Sequence, residues 1–304
     1  MTGIGPSKVA ALVLTYNDIE LTKKCIKSVL SSSYEGLQVF LIDNGSDFDC
    51  LSPVIQLYSN VHPIKCVAPS GYSGGFNSGI KYLFNNNIPF DYVLIVTNDL
   101  EIEPTTLSML VNIMDQNKDI GFLGPETFKR DGSGDHDQWI TALFDNDNPA
   151  DIKLINDTDI DNLKKIEVEF VVGHCMLVRK EVIKDVGLIR DFFIYWEERE
   201  WQWRAKLRGW KTYVVPKSLC YHDRDSFGNP FNAYMRTRNL IFFNRLVLMK
   251  ESKFKKHFLK NLTKILKWGL AMLIRRKWGH QHLIKFIMGF KDGLFSKIPD
   301  YEKI

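Results

Sequence analysis

A chain of 304 residues with 45% hydrophobic content carries enough apolar material for one large core, or for a domain with an appendage. Its five cysteines, Cys25, Cys50, Cys66, Cys175 and Cys220, are scattered without a C-x-x-C pair; this argues against a disulfide framework or zinc site and fits a reducing cytosol. The net charge of +4 is unevenly spread: between Lys250 and Lys297, 13 Lys/Arg face 2 Asp/Glu, so the basic charge is a C-terminal property.

Met1 to Ser7 reads as a short polar lead rather than a targeting segment. Val9 to Leu14 is a buried strand running into Thr15-Tyr16-Asn17-Asp18, and an amphipathic helix follows through Leu21, Cys25, Ile26, Val29 and Leu30. A second strand, Val39 to Ile42, ends in Asp43-Asn44-Gly45-Ser46. A third, Ile64 to Val67, leads into a glycine-rich turn, Gly71 to Gly79, and then a helix to about Asn86. The spacing G-x-x-G-G-x-x-x-G matches neither a dinucleotide fingerprint nor a Walker loop. Such a turn either aims backbone N–H groups at a diphosphate or lets a helix lie close on the sheet.

The fourth strand, Tyr92 to Val96, ends in Thr97-Asn98-Asp99-Leu100-Glu101. Ligands of open α/β sheets bind beyond the carboxyl ends of the strands, where Asp99 and Glu101 emerge. Two carboxylates there can hold a divalent cation that bridges phosphate oxygens. Asp99 or Thr97 can equally cap a helix starting near Pro104. Alternation of strands and helices implies an α/β fold with a mostly parallel sheet covered on both faces.

From Lys129 to Leu163 the pattern weakens into Gly, Asp and Asn, reading as a loop that covers an acceptor; Asp135-His136-Asp137 is a weaker metal candidate within it. Glu167 to Val172 and Gly173 to Arg179 read as one strand through the site, followed by a short helix, Glu181 to Val186, capped by Gly187. After the aromatic run Phe192 to Trp196, Glu197 and Glu198 open another helix. They either supply a general base with a raised pKa or compensate the helix dipole. Thr212 to Pro216 is a last strand, and Tyr221-His222 returns to the polar rim, where His222 is a candidate metal ligand.

Taken in order, Leu14-Thr15-Tyr16-Asn17, Ile42-Asp43-Asn44-Gly45-Ser46, the Gly71 to Gly79 turn, Thr97-Asn98-Asp99, Gly173 to Arg179, Glu197-Glu198 and Tyr221-His222 resemble an inverting nucleotide-sugar glycosyltransferase of family 2. The resemblance covers about Val9 to Asn239 and is nearest to a bacterial rhamnosyltransferase-like branch that builds O-antigen, capsule and related surface polysaccharides. It implies the GT-A fold: a Rossmann-like, mostly parallel central sheet with flanking helices, here followed by basic amphipathic helices. The expected division is a catalytic domain over 1–225, with a nucleotide-binding half to about 125, and a C-terminal helical region over 226–304.

By the same resemblance, Thr15, Tyr16, Asn17, Asp43, Gly75 and Asn98 belong to the donor-nucleotide site. Asp99 and His222 would hold Mn²⁺ or Mg²⁺, with Glu101 or Glu197 in support, and Glu198 would be the base. Trp196, Tyr234, Arg236, Arg238 and Asn239 would face the diphosphate or the acceptor. Three residues depart from the family pattern. Thr97 stands where the family usually carries Asp or Asn, Glu198 replaces the commoner Asp, and Gln202-Trp203-Arg204 is not the Q-x-x-R-W motif of processive synthases.

Beyond Phe254, apolar Phe258, Leu262, Ile265, Leu266, Leu270 and Leu273 recur at helical spacing, with Lys256, Lys260, Lys264 and Lys267 largely on another face. A second segment continues from Trp278 to Leu294. The longest uncharged stretch here, Trp268 to Ile274, is far short of the roughly 20 residues that span a bilayer. Such helices either dock on an anionic membrane surface or pack on the catalytic domain. A nucleic-acid reading module is lacking. The expected protein is therefore cytoplasmic and peripheral on the inner face of the cell membrane. It would move one sugar from a dTDP- or UDP-sugar, dTDP-rhamnose first, to a lipid-linked oligosaccharide. A sugar-nucleotide pyrophosphorylase and a non-catalytic glycan- or membrane-binding protein are the alternatives.

Overall fold

The computed structural model describes residues 5–130, 142–145, 148–154, 164–222, 229–248, 255–274 and 279–304. Strand β1 (Val9–Thr15) is buried along its whole length. Its side chains alternate between two cores: Val9, Ala11 and Val13 enter one, Ala10, Leu12 and Leu14 the other. A strand with both faces covered must be apolar throughout, which is why this segment shows no alternation. Helix α1 (Ile19–Leu30) starts where the Asp18 carboxylate accepts the Leu21 N–H at 2.9 Å. Strand β2 (Leu37–Asp43), the short helix α2 (Ser52–Ile55) and strand β3 (Val61–Lys65) follow. β3 begins and ends earlier than the Ile64 to Val67 expected. Its Pro63 is tolerated because β3 is the edge strand.

Helix α3 (Gly71–Asn85) begins at the first glycine, so the expected turn is itself helical. The glycines let this helix lie close on the sheet. A Cβ on Gly75 would stand 2.5 Å from Leu14 Cδ1, and one on Gly79 2.5 Å from Ile42 Cδ1. Strand β4 (Tyr92–Thr97) is followed by the three-residue strand β5 (Leu100–Ile102), and helix α4 (Thr106–Gln116) starts only afterwards. Asp99 is thus a strand-connecting residue and caps no helix.

Strand β6 (Ile120–Lys129), hairpin strands β7 (Ala142–Asp145) and β8 (Asn148–Leu154), and strand β9 (Ile166–Val168) come next. Asp135, His136 and Asp137 lie outside the described residues. The single strand expected over Glu167 to Arg179 is two. β9 pairs antiparallel with strand β11 (Lys211–His222), whereas β10 (Cys175–Arg179) lies between β4 and β6. Between β10 and β11 come helix α5 (Lys180–Val186), ended by Gly187 at φ 78°, and helix α6 (Glu197–Lys206). The main sheet runs β3-β2-β1-β4-β10-β6-β11-β5, with its first four strands parallel. Their carboxyl ends, at Thr15, Asp43 and Thr97, share one rim.

Helices α7 (Pro230–Leu248), α8 (Lys255–Ile274) and α9 (His280–Phe295) complete the described chain. α9 packs on α7 through glycine: a Cβ at Gly289 would stand 2.4 Å from the Tyr234 carbonyl oxygen. α8 is tied to α7 by the Asn261 amide, which donates to Asn244 at 2.8 Å. On α8, Ile265 is buried, but Leu266 and Leu270 are exposed beside Lys264 and Lys267. This corrects the simple two-faced pattern read from spacing: α8 turns leucines outward on its basic side. Among the described residues no helix is long and apolar enough to cross a membrane.

Candidate active site

The rim is built from the loops after β1, β2 and β4. Thr15 is fully buried, and its hydroxyl lies 2.6 Å from that of Thr22. The Asn98 amide donates to both hydroxyls, at 3.3 and 3.0 Å, tying the β4 end to α1. Asn17, at φ 54°, links loops: its backbone N–H donates to Ser46 Oγ and its side-chain amide exchanges two bonds with Asp47. Asp43 is buried, with Oδ1 accepting the Ser46 N–H at 2.9 Å. Asn44, which the sequence reading left without a role, donates to the Gly71 carbonyl and accepts from Ser70, fixing the start of α3. Tyr16 is 47% exposed, so its ring offers an open face at the rim. Gly75 lies on the sheet-facing side of α3 against Leu14, where it serves packing.

Asp99 and His222 meet, with Asp99 Oδ2 3.2 Å from His222 Nε2. The Thr97 hydroxyl donates to Asp99 Oδ1 at 2.6 Å. Burial pushes the Asp99 pKa up, but the hydrogen bond and charge of His222, with the Thr97 hydroxyl, outweigh it and hold the carboxyl below its ordinary value. Behind His222 lies His174, a residue that spacing did not single out. Their rings stack at 4.7 Å and 12°, and His174 Nε2 is 2.9 Å from the Thr127 hydroxyl. Glu101 is elsewhere: it pairs in register with Tyr221 rather than His222, and its carboxylate is 3.5 Å from Arg130.

No group of three His, Cys, Asp or Glu side chains able to hold a metal occurs among the described residues. One carboxylate and one imidazole on an open rim still suit Mn²⁺ or Mg²⁺, because hard cations complete their shells with phosphate oxygens and water. The residues present therefore fit such an ion when a diphosphate is also there.

The second half of the site is the N-terminus of α6. Glu197 is buried, and its Oε2 has no hydrogen-bond partner among the described residues. Burial, then the neighbouring Glu198 and Asp191 charges, push the Glu197 pKa well up, favouring its neutral form. Glu198 is less enclosed, its side chain 15% exposed and 3.9 Å from Arg199. Gly173 makes room for it: a Cβ there would stand 3.3 Å from Glu198 Cβ and 2.3 Å from the Tyr72 hydroxyl. That hydroxyl donates to the Gly173 carbonyl at 2.7 Å, and burial, then the Glu198 charge, pushes its pKa well up.

The loop that delivers these acids is strained. Phe193, Tyr195 and Trp196 all have positive φ, at 73°, 72° and 75°. Each such residue costs about 1–3 kcal/mol and persists only where its surroundings over-determine it. Trp196 packs on Phe243 and under the Arg199 guanidinium, and Arg236 lies over the Tyr195 ring at 4.0 Å. The fully buried Asn239 donates to the carbonyls of Phe192, Ile194 and Tyr195. Arg238 donates to Phe192 O as well, and Tyr234 donates to Asp292. Arg238, Asn239 and Tyr234, which the resemblance has facing the diphosphate or the acceptor, thus make contacts within the fold.

A sheet rim with a carboxylate–imidazole pair, set across a glycine turn from a helix-borne acid, defines a glycosyltransferase of the GT-A type. The profile of glycosyl transferase family 2 matches residues 11–187, more than half of the chain, and the chain belongs to that family. Over 228 residues it is 24% identical to the Low-salt glycan biosynthesis hexosyltransferase Agl10 of Haloferax volcanii, covering 73% of this chain and 72% of that protein. Among solved structures it resembles GalNAc-T7 with UDP, GalNAc and Mn²⁺, at TM-score 0.66 and 14% identity over 84% of this chain and 50% of that one. It also resembles the mannosyltransferase PcManGT of Pyrobaculum calidifontis in complex with GDP-Man and Mn²⁺, at TM-score 0.61 and 13% identity, covering 97% and 89%. At such identities the likeness is one of fold. This chain spans half the length of the GalNAc-T7 chain.

Proposed function

We propose that this glycosyltransferase moves a single sugar, with inversion, from a nucleoside diphosphate sugar to an acceptor hydroxyl, Glu198 being the base. The observation that carries the reading is the placement of two adjacent acids in different surroundings. Glu197 is buried, with its Oε2 lacking a hydrogen-bond partner among the described residues and its pKa pushed well up, first by burial, whereas the side chain of Glu198 is partly exposed beside Gly173 and can meet an acceptor. The acceptor oxygen attacks the anomeric carbon, its proton passes to Glu198, and the bond to the diphosphate oxygen breaks. Asp99 and His222 would hold Mn²⁺ or Mg²⁺, which when bound neutralises charge on the leaving diphosphate. Metal in both solved relatives, bound with UDP or GDP-Man, supports that reading.

Thr15, Asn17, Asn98 and Asp43 shape the nucleotide pocket, and Tyr16 offers a ring to the base. For the donor we favour a dTDP- or UDP-sugar, dTDP-rhamnose first, by the branch that the motifs resemble. Single addition is supported by Gln202 and Arg204, whose side chains are spent inside the fold. Gln202 bonds both Val171 backbone groups, and Arg204 bonds Glu200 and the Val186 and Leu188 carbonyls. We take residues 226–304 as the acceptor-side unit and its partner as a lipid-linked oligosaccharide at a membrane surface. Exposed Leu266, Trp268 and Leu270 on α8, and Ile284 and Ile287 on α9, interleave with lysines and support that placement.

Calorimetry with UDP, dTDP and GDP, with and without Mn²⁺, tests the donor half. Metal-dependent binding of one nucleotide, lost in Asp99→Ala, supports it; binding indifferent to both metal and Asp99 refutes it. Glu198→Gln should abolish sugar transfer while nucleotide affinity stays within about twofold. Full activity in that variant would remove Glu198 from the mechanism.

A further inference from the structure

We infer that Asn239 is a positioning residue for Glu198, resting on the reading of Glu198 as base. Asn239 lies in the middle of α7, some forty residues beyond the acids in sequence, and is 0% exposed. Its Nδ2 stands 2.9 Å from Phe192 O, 2.7 Å from Ile194 O and 3.1 Å from Tyr195 O. Two amide hydrogens are thus shared among three carbonyls of one loop. The orientation of the amide is set by its neighbour: Arg238 Nε, which can only donate, bonds Asn239 Oδ1 at 2.9 Å, so the nitrogen must face the loop.

The gathered carbonyls belong to the segment in which Phe193, Tyr195 and Trp196 hold positive φ. An unconstrained chain of these bulky residues leaves that region, because the left-handed conformation crowds Cβ against the backbone. Trp196 is the residue immediately before α6 and brings no side-chain cap to it. The direction in which Glu197 and Glu198 leave the loop is therefore set from outside the helix. From α3, Ser73 binds the Phe193 backbone through its N–H and hydroxyl, at 3.3 and 3.1 Å. From α7, Asn239 holds the other carbonyls. An uncharged amide at this position both donates to the carbonyls and accepts from Arg238; Asp would set a carboxylate against three oxygens.

The test compares Asn239→Ala with the unaltered chain in three measurements. Hydrogen exchange of the peptide covering Phe192 to Arg199 should speed up about tenfold or more, with peptides of β1, β4 and α3 unchanged. The dissociation constant for UDP or dTDP, whichever the unaltered chain binds, should stay within about twofold. The kcat for release of nucleoside diphosphate from the matching sugar donor, with acceptor, should fall about 30-fold or more, since sub-ångström misplacement of a catalytic group is that costly. Unchanged exchange or unchanged kcat overturns the inference. So does nucleotide affinity falling in step with kcat, which would place Asn239 on the diphosphate side.

Should Asn239→Ala fail to fold, Arg238→Met removes both the bond to Phe192 O and the bond that orients the amide. It should give the same pattern at about three- to tenfold in kcat, and no change in kcat overturns the inference. Glu198→Gln measured alongside keeps the two readings separate. If Glu198→Gln retains transfer, the base assignment fails. If Asn239→Ala still lowers kcat in that case, the loop positions another group and the inference about Glu198 fails too.

Discussion

Gly173→Ala offers the sharpest steric test of how the acid reaches the site. A Cβ at Gly173 would stand 2.3 Å from the Tyr72 hydroxyl oxygen and 2.8 Å from Tyr72 Cζ, both inside van der Waals contact. Tyr72 cannot swing away freely, because its ring packs edge-on against the buried Phe76 at 4.7 Å and α3 is itself seated on the sheet. Overpacking of this kind costs about 1–3 kcal/mol. Loss of the 2.7 Å bond from Tyr72 to the Gly173 carbonyl adds about 0.5–1.5 kcal/mol. Chemical denaturation should therefore show Gly173→Ala less stable by about 1.5–4.5 kcal/mol. The same Cβ comes 3.3 Å from Glu198 Cβ, close enough to shift the acid by a few tenths of an ångström, so kcat should fall as well. Tyr72→Phe in the same chain removes the nearer of the two clashing atoms and should recover part of the stability, a coupling that a double-mutant cycle reads directly. A stable, fully active Gly173→Ala would refute the claim that this glycine is required by Tyr72 and Glu198.

Glu197 gives a pH prediction whose sign is opposite to that of most carboxylates. Its folded pKa is raised, first by burial, so between the unfolded value near about 4.3 and the folded one the native state binds more protons. Stability contributed by protonated Glu197 is thus present below pH about 4.3 and is lost as pH rises toward the folded pKa. Glu197→Gln should be as stable as the unaltered chain in acid and more stable at neutral pH, measured by urea melts across that range; equal stability throughout would contradict the assignment. For α8, replacing the exposed Leu266 and Leu270 together by Ser should weaken co-sedimentation with phosphatidylglycerol vesicles about tenfold or more without altering nucleotide affinity. Vesicle binding that is absent in the unaltered chain would remove the membrane reading.

The strand ends were legible because a doubly covered strand stops being apolar at the moment it leaves the core. Leu14 to Thr15, Ile42 to Asp43 and Val96 to Thr97 each show that edge, and each lies on the rim. What composition concealed was the direction taken afterwards. The glycines from Gly71 to Gly79 read as a turn because glycine disfavours helices. Here the helix is held by packing, and small residues are required where it meets Leu14 and Ile42. Glu167 to Arg179 read as one strand because it is rich in valine and other apolar residues, yet pairing with β11 on one side and β4 on the other divides it. His174 stood within the Gly173 to Arg179 motif without a role of its own. A lone histidine carries no periodic signal, and its stacking on His222 joins a turn to a strand end 48 residues away in sequence. Asn239 was noticed, but through resemblance; that it gathers three carbonyls of a strained loop is a property of the tertiary fold alone.

The two residues Gly173 and His174 explain how chemistry divided between distant elements is held at one separation. The His174 carbonyl accepts the Thr97 N–H at 3.0 Å, and its ring backs His222, so this turn fixes the Asp99 side. One residue earlier, the Gly173 carbonyl takes the Tyr72 hydroxyl, and its missing side chain admits Glu198. On the proposed mechanism, an in-line displacement needs the leaving diphosphate and the acceptor oxygen on opposite sides of one carbon, and a rigid spacer between the Asp99 and Glu198 sides would serve it. Thr97 fits the same logic. Where a second carboxylate would add charge but repel Asp99, a hydroxyl donates to Oδ1 and leaves Oδ2 with His222. The carboxylate is thereby aimed rather than assisted. A cation held at Asp99 and His222 would have few protein charges around it and would depend on diphosphate oxygens to complete its shell.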